Sequence, residues 1–178
     1  MVEFKNINDA HNRISEFIHR TPILTNNSIN DLIGSKLFFK CENFQKAGSF
    51  KIRGATNAVQ MLNNEQLKSG IITTSSGNHG GALSMAGMRR NISVKVIMPN
   101  NSSSIKVENV KRYGGKIIWC EPNQKSREET LKKWVEQSNR HVIHPYNDER
   151  IIAGQGTAAK ELIEDISDLD IIISPVSG

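Results

Sequence analysis

The sequence is short of cysteine, of aromatic residues and of long apolar runs, and each shortage argues against a class of protein. No apolar stretch approaches the ~20 residues that a membrane-spanning helix needs, and the charged N-terminal segment does not match a signal peptide. Cys41 and Cys120 are isolated from each other, which indicates a reducing, cytoplasmic setting and no metal site. Aromatic residues make up only 6% of the chain, too few for a surface on which bases stack. We therefore expect neither a membrane nor a nucleic acid as partner.

The chain also lacks a block of charge of one sign. Its formal net charge is +5, but the basic residues are spread along the sequence instead of forming a patch. A spread basic surface suits small anionic metabolites better than a polyanion.

Apolar runs alternate with helical patterns from residue 71 onward. The part before it predicts helices over 6–18, capped by Asn6 or Asn8, and over 54–68, with a short buried strand at 37–39. Strands are then predicted at 71–73, 94–98, 116–120, 142–143 and 171–174, and helices at about 78–90, 103–113, 125–139 and 153–166. This alternation is typical of an α/β fold, a parallel sheet with helices on both faces. In such sheets ligands bind beyond the carboxyl ends of the strands.

The chain ends directly after a core-strand pattern. Ile171 to Ser174 read as a buried strand, and Pro175 to Gly178 open a small-residue turn that is a weak phosphate-loop signal. We therefore expect a C-terminally incomplete domain, or a second chain that supplies the missing C-terminal part.

Lys51 lies between Phe50 and Ile52, and small residues flank this triplet. The usual interpretation of a lysine is a solvated surface charge. A lysine in a tight, partly apolar turn has a lowered pKa, which Schiff-base chemistry requires. Lys51 is therefore a candidate catalytic lysine.

The segment from Ser75 to Gly81 follows a predicted strand and precedes an apolar helix. Free backbone N–H groups and the helix dipole make such a junction a site for a carboxylate or phosphate. Asn78 can hydrogen-bond a cofactor oxygen, and a serine hydroxyl can transfer a proton. The alternative is a plain helix cap by Ser76 or Asn78.

Other motifs give weaker signals. Gly154-x-Gly156-x-x-Ala159 matches a dinucleotide fingerprint, but the strand that this fingerprint requires does not precede it. Arg127, at the start of a charged helix, could face the cleft as an anion ligand. Four histidines lack metal-ligand spacing and are interpreted as surface or packing residues: His11, His19, His141 and His144.

Three segments resemble the serine racemase and serine/threonine dehydratase family: KCENFQKAGSFKIRGATNAV (40–59), TTSSGNHGGALSMAG (73–87) and HPYNDERIIAGQGTAAKEL (144–162). The resemblance runs in order along essentially the whole chain. It implies a fold-type II pyridoxal 5′-phosphate enzyme, a three-layer α/β fold in two lobes like the tryptophan synthase β subunit. Residues 1–52 plus 147–178 would belong to a large cofactor domain, incomplete here, and residues 53–146 would form a small domain.

The resemblance also implies roles for the candidate residues. Lys51 would carry the cofactor and act as acid/base on one face, with catalytic Ser76 on the opposite face. The further cofactor contacts would be Phe50, Asn78, Ser177 and Gly178. The substrate carboxylate would be held by Ser75, Ser76, Gly77, Asn78 and His79, with Arg127 as a helper. A nucleotide effector such as ATP would contact Asn26, Asn27, Ser28, Lys46 and Tyr113.

The sequence departs from the family pattern at two positions. Ala47 stands where threonine is usual, and Ser177 stands where glycine is usual. The rest of the phosphate loop and the site of the divalent effector, Mg²⁺ or Ca²⁺, would lie beyond Gly178.

The implied function is removal of ammonia from serine or threonine, giving pyruvate or 2-oxobutyrate, together with serine racemase activity. The substrate would be a small amino acid and the enzyme a cytoplasmic homodimer. Two alternatives stay open: a β-replacement enzyme of the same fold, such as a cysteine synthase, and an inactive fragment or binding module.

Overall fold

The computed structural model describes residues 1–175 and shows an α/β fold. Its helices are α1 (Phe4–Ile14), α2 (Asn27–Ile33), α3 (Lys51–Gln60), α4 (Asn64–Ser69), α5 (Asn78–Arg89), α6 (Ser104–Arg112), α7 (Gln124–Ser138) and α8 (Glu149–Asp165). Its strands are β1 (Ile23–Leu24), β2 (Phe39–Lys40), β3 (Ile71–Thr74), β4 (Val94–Pro99), β5 (Lys116–Cys120) and β6 (His141–Val142). The α/β fold class predicted from the alternating pattern is therefore confirmed.

Four strands form a parallel sheet in the order β5-β4-β3-β6. Side chains alternate between its two faces, so Ile71 and Val96 pack into one core while Ile72 and Ile97 pack into the other. The first core is the larger and includes residues of α3, α5 and α8, and the second is covered by α7. Both faces are buried, as the near-continuous apolar strands predict.

The N-terminal part packs on α3 and α8 instead of joining this sheet. β1 and β2 form a separate antiparallel pair, with Ile23 opposite Lys40. α3 and α8 cross at two glycines, because a Cβ added to Gly154 would lie 2.6 Å from the Cα of Gly54. This close approach fixes the start of α3, where Lys51 lies.

Several predicted helix boundaries are wrong. The helix expected over 6–18 spans Phe4–Ile14, because Glu3 caps it and Asn6 accepts the Glu3 N–H at 2.8 Å. The single helix expected over 54–68 is two, because Asn63 and Gln66 form a capping box that starts α4. The first of the two begins at Lys51, so that residue belongs to a helix and not to a loop.

Two predicted buried strands also differ from the structure. The strand expected at 37–39 is β2 at Phe39–Lys40, and Phe39 is exposed because β2 belongs to a ribbon outside the main sheet. The segment from Ile171 to Ser174 is not a strand, and Ile173 is 88% exposed. No strand of residues 1–175 is hydrogen-bonded to this segment, and a strand needs such a partner.

The boundaries of the two lobes, at 52/53 and 146/147, stay a prediction. Among residues 1–175, none of the helices has both the length and the apolar character that a membrane span requires.

Candidate active site

A cavity of about 410 Å³ opens at the carboxyl end of the parallel sheet. Each strand leads into one part of its wall: β3 into the Ser75–His79 segment, β4 into Lys106, β5 into Arg127 and β6 into His144. Phe50 and Lys51 close it from the start of α3. This is the location that parallel α/β sheets give their ligands.

Lys51 is half-buried and its Nζ lies 5.0 Å from the centre of the Phe50 ring. Burial lowers the pKa of this lysine, because the charged form loses solvation. The prediction of a lowered pKa is therefore confirmed. A lysine of this kind has more of its neutral, nucleophilic form at neutral pH.

The two neighbouring serines of the turn after β3 are in different environments. Ser75 is buried, and its Oγ accepts the N–H groups of Gly77 at 3.2 Å and Gly80 at 3.0 Å. Ser76 is exposed to the cavity. Ser75 therefore stabilises the turn, whereas Ser76 is an exposed residue of the cavity wall.

α5 begins at this turn and directs its first N–H groups toward the cavity. Among residues 1–175, the N–H groups of Asn78 and His79 have no acceptor. The alternative, a cap by Ser76 or Asn78, is not found among residues 1–175, because α5 has Gly77 at its N-cap position and Ser75 accepts the N–H groups of Gly77 and Gly80. Free N–H groups and the helix dipole together favour a bound carboxylate or phosphate.

His79 is buried beneath the same turn. The residue is 3% exposed, and neither ring nitrogen has a hydrogen-bond partner among residues 1–175. Burial, followed by the positive charge of Lys51, lowers the pKa of His79 to about 3. The imidazole is therefore neutral at neutral pH.

Sequence reasoning missed His144 and Tyr146, which form the wall on the β6 side. Their rings meet edge to face with centroids 4.4 Å apart, and His144 Nδ1 accepts the N–H of Asn147 at 2.8 Å. The metal-spacing test applied to the histidines could not detect this role. The sequence signal that could have identified His144 is its position directly after a predicted strand, because ligands bind beyond the carboxyl ends of such strands.

Two cations line the wall on the other side. Arg127, predicted as an anion ligand, belongs to the cavity, and its Nε is buried without a partner among residues 1–175. Lys106, which the sequence did not single out, lies on the first turn of α6.

The residues predicted to bind a nucleotide effector lie outside this cavity. Asn26 caps α2 by accepting the N–H of Ile29 at 3.0 Å, and Asn27 and Ser28 are exposed on the first turn of that helix. Lys46 lies in a 3-10 turn, and Tyr113 follows α6. The effector site stays a prediction. Ser177 and Gly178 lie outside the described residues.

The dinucleotide-like motif lies inside α8, so the rejection of a nucleotide loop is confirmed. Gly154 packs on α3, and a Cβ on Gly156 would meet the Ile7 side chain. Both glycines are explained by helix packing. Ala47, which replaces the usual threonine, has a positive φ of 61°.

Comparison with known proteins gives a consistent result. Residues 14–178 match the family described as pyridoxal-phosphate dependent enzyme. Over 172 residues the chain is 51% identical to serine racemase of Arabidopsis thaliana, covering 97% of this chain and 52% of that protein. It is 52% identical over 169 residues to beta-hydroxyaspartate dehydratase of Paracoccus denitrificans, covering 95% and 54%.

Comparison of the fold with solved structures identifies the same family. The crystal structure of serine racemase from Dictyostelium discoideum matches with a TM-score of 0.89 at 46% identity, covering 95% of this chain and 55% of that one. The chain thus spans about half the length of the relatives it matches. It belongs to the pyridoxal-phosphate-dependent enzymes and, within them, to the fold-type II group of serine racemases and serine/threonine dehydratases.

Proposed function

We propose that the protein is a pyridoxal-phosphate-dependent ammonia-lyase for serine or threonine that also racemises serine. The observation that carries this proposal is the cavity shared by Lys51 and the Ser75–His79 segment. A lysine of lowered pKa and an anion-binding helix start are what amino-acid chemistry on this cofactor needs. The activities in the names of two relatives, serine racemase and beta-hydroxyaspartate dehydratase, support the same pair of reactions.

The described residues fit pyridoxal phosphate. Lys51 is half-buried, and this burial lowers the pKa of its amine. The residue still lines an open cavity. The N–H groups of Asn78 and His79 at the start of α5 have no acceptor within residues 1–175, which leaves donors for an anionic group of a bound molecule. Lys51, Phe50 and Asn78 would hold the cofactor, and Ser177 and Gly178 would contact its phosphate.

When bound, pyridoxal phosphate supplies the electron sink that makes the α-proton of an amino acid removable. The N–H groups of Asn78 and His79, with the positive end of the α5 dipole, bind the substrate carboxylate. The neutral amine of Lys51 accepts the α-proton on one face. The Ser76 hydroxyl moves a proton on the opposite face.

Two products follow from one proton removal. Departure of the β-hydroxyl and hydrolysis give pyruvate or 2-oxobutyrate plus ammonia. Delivery of a proton from the Ser76 side gives the D-amino acid instead. The balance between them depends on how readily Ser76 donates a proton.

The test is to incubate the full-length protein with pyridoxal phosphate and L-serine alone. We expect keto acid, ammonia and D-serine, and borohydride should attach the cofactor to the peptide that contains Lys51. Lys51→Ala should abolish both results. Lys68→Ala is the matched control, because Lys68 lies exposed on α4 and should leave them unchanged.

The rival functions predict different results. A β-replacement enzyme would release no keto acid from serine and would need an added nucleophile such as sulfide. A binding module would bind no pyridoxal phosphate, and Lys51→Ala would change nothing. The homodimer, a second chain and the cytoplasmic location stay predictions.

A further inference from the structure

The cavity wall on the β6 side carries a histidine whose ring is held in place by the backbone. His144 follows β6, and its Nδ1 accepts the N–H of Asn147 at 2.8 Å and that of Tyr146 at 3.3 Å. The Tyr146 ring meets the imidazole edge to face, with centroids 4.4 Å apart. Two hydrogen bonds and one aromatic contact therefore fix the orientation of the His144 ring.

The same hydrogen bonds determine which ring nitrogen of His144 carries the proton. A backbone N–H can only donate, so Nδ1 must be unprotonated to accept from Tyr146 and Asn147. The neutral ring then has its proton on Nε2. Protonating Nδ1 as well would break both hydrogen bonds. His144 is therefore a neutral N–H donor and not an acid.

This donor lies beside the turn that binds the substrate carboxylate. Because β6 pairs directly with β3, the residues that follow these two strands, His144 and the Ser75–His79 segment, line the same cavity as Lys51. Within residues 1–175, every side-chain hydrogen bond of His144 is made by Nδ1. The Nε2–H is thus left without a protein acceptor in this part of the chain.

A neutral donor on this wall suits an uncharged oxygen of the substrate. The α-carboxylate already has donors, the N–H groups of Asn78 and His79 at the start of α5. The cationic side chains that come from β4 and β5 lie on the opposite side of that turn, because the strand order is β5-β4-β3-β6. A single neutral N–H is matched by a single neutral acceptor, and in serine and threonine that acceptor is the β-hydroxyl oxygen.

We infer that His144 determines specificity for 3-hydroxy amino acids by donating its Nε2–H to the β-hydroxyl oxygen of the substrate. The hydrogen bond orients the hydroxyl group and transfers no proton. This inference rests on the proposed function, because it assigns the residue that recognises the side chain of the same substrate.

Two amide substitutions separate the roles of the two ring nitrogens. His144→Asn places an oxygen near the position of Nδ1, so the backbone hydrogen bonds can still form, but it has no donor at the position of Nε2. His144→Gln is longer and places an amide N–H near the position of Nε2. His141→Asn is the matched control, because His141 lies at the amino end of the same strand and does not line the cavity.

The first experiment follows loss of the α-proton from L-serine and from L-alanine by NMR in D2O, in the full-length holoenzyme. This signal counts exchange and elimination together, and alanine lacks only the hydroxyl group. His144→Asn should lower kcat/KM for serine by about three- to tenfold, the effect of losing one neutral hydrogen bond, and that for alanine by less than about twofold. His144→Gln and His141→Asn should keep the wild-type preference for serine.

A second experiment measures binding without turnover. 3-Hydroxypropanoate and propanoate both have one carboxylate and no amine, and they differ only in the β-hydroxyl group. Calorimetry on the wild-type holoenzyme should show 3-hydroxypropanoate binding about three- to tenfold more tightly than propanoate. His144→Asn should remove that difference, and His141→Asn should keep it.

Three results would overturn the inference. An equal loss for serine and alanine in His144→Asn would assign His144 to support of the cavity wall alone. Loss of the serine preference in His144→Gln as well would show that a donor near Nε2 is not its cause. A wild-type enzyme that forms keto acid from serine but binds the two propanoates equally would reject the hydroxyl contact and leave the proposed function standing. If neither amino acid loses its α-proton, the proposed function fails, and the propanoate comparison still decides whether His144 binds a hydroxyl group.

Discussion

Arg53 and Glu161 form a buried ion pair, with Arg53 Nη1 2.7 Å from Glu161 Oε1 and Nη2 2.9 Å from Oε2. Arg53 is fully buried and also binds both carboxylate oxygens of Glu42, at 2.7 and 2.8 Å. Lys40 lies 2.8 Å from Glu161, so two cations balance two carboxylates. Because Arg53 follows Lys51 by two residues, this cluster holds the first turn of α3 against α8.

Arg53→Met should destabilise the protein strongly. The change leaves the buried Glu161 and the partly buried Glu42 with only Lys40 as a cation, and breaking a buried pair from one side costs about 3–5 kcal/mol. The measurement is the free energy of unfolding from urea denaturation. Arg20→Met is the control, because Arg20 pairs with Glu164 and Asp165 at the surface, where a pair is worth less than about 1 kcal/mol. Equal effects of the two changes would contradict the structural role given to the cluster.

Gly154→Ala should also destabilise the protein, because the new Cβ would lie 2.7 Å from the carbonyl oxygen of Arg53 and 2.6 Å from the Cα of Gly54. Both atoms belong to backbone, so α3 must shift, at a cost of about 1–3 kcal/mol. Gly156→Ala in the same helix is the matched control. Its Cβ would meet the flexible end of Ile7, and alanine favours the helix by up to about 1 kcal/mol. Thermal unfolding should show a lower midpoint for Gly154→Ala alone.

The main sheet could be predicted from sequence because each of its strands coincides with a short apolar run. The apolar runs at 94–98 and 116–120 are buried or edge strands whose neighbours are also present, and β4 and β5 appear there. The same type of pattern at Ile171–Ile173 predicted a strand, and that prediction is wrong. An apolar run favours a strand, but a strand also requires a hydrogen-bonded partner strand. Within residues 1–175 no strand is hydrogen-bonded to this segment.

Residues of the candidate site could be predicted from sequence only where they belong to a short, recognisable motif. Lys51 and the Ser75–His79 segment have local motifs, and the structure brings both to one cavity. Lys106, His144 and Tyr146 have no such motif. They reach the cavity because β6 lies beside β3 and β4 on its other side, and strand order is a property of the assembled sheet. Local patterns do not contain that order.

The stability of the fold should depend on pH through His79. Its pKa falls from 6.5 to about 3 on folding, so between those values the unfolded chain binds a proton that the folded chain does not. Stability is therefore greatest above the unfolded pKa and is lost as pH falls below it. This one group should lower the free energy of unfolding by about 2 kcal/mol between about pH 6 and pH 4.5.

The measurement is urea denaturation across that pH range in the wild type and in His79→Gln. The variant lacks the titrating imidazole, so its stability should fall less steeply with acidification. His19→Gln, at an exposed position, is the control and should follow the wild type. Parallel pH profiles for His79→Gln and the wild type would show that His79 does not carry the effect.

Ser76→Ala should separate racemisation from elimination. Ser76 is exposed and lines the cavity that contains Lys51, whereas the Ser75 hydroxyl accepts the N–H groups of Gly77 and Gly80. If Ser76 donates the proton on the face opposite Lys51, its loss should reduce D-serine formation by about 100-fold, the usual range for a positioned acid. Keto acid formation starts with Lys51 and should fall much less. Chiral chromatography and a keto acid assay on the same samples give the ratio, and Ser76→Thr, which keeps the hydroxyl, should retain both products. An equal fall in both products would assign Ser76 to substrate binding instead.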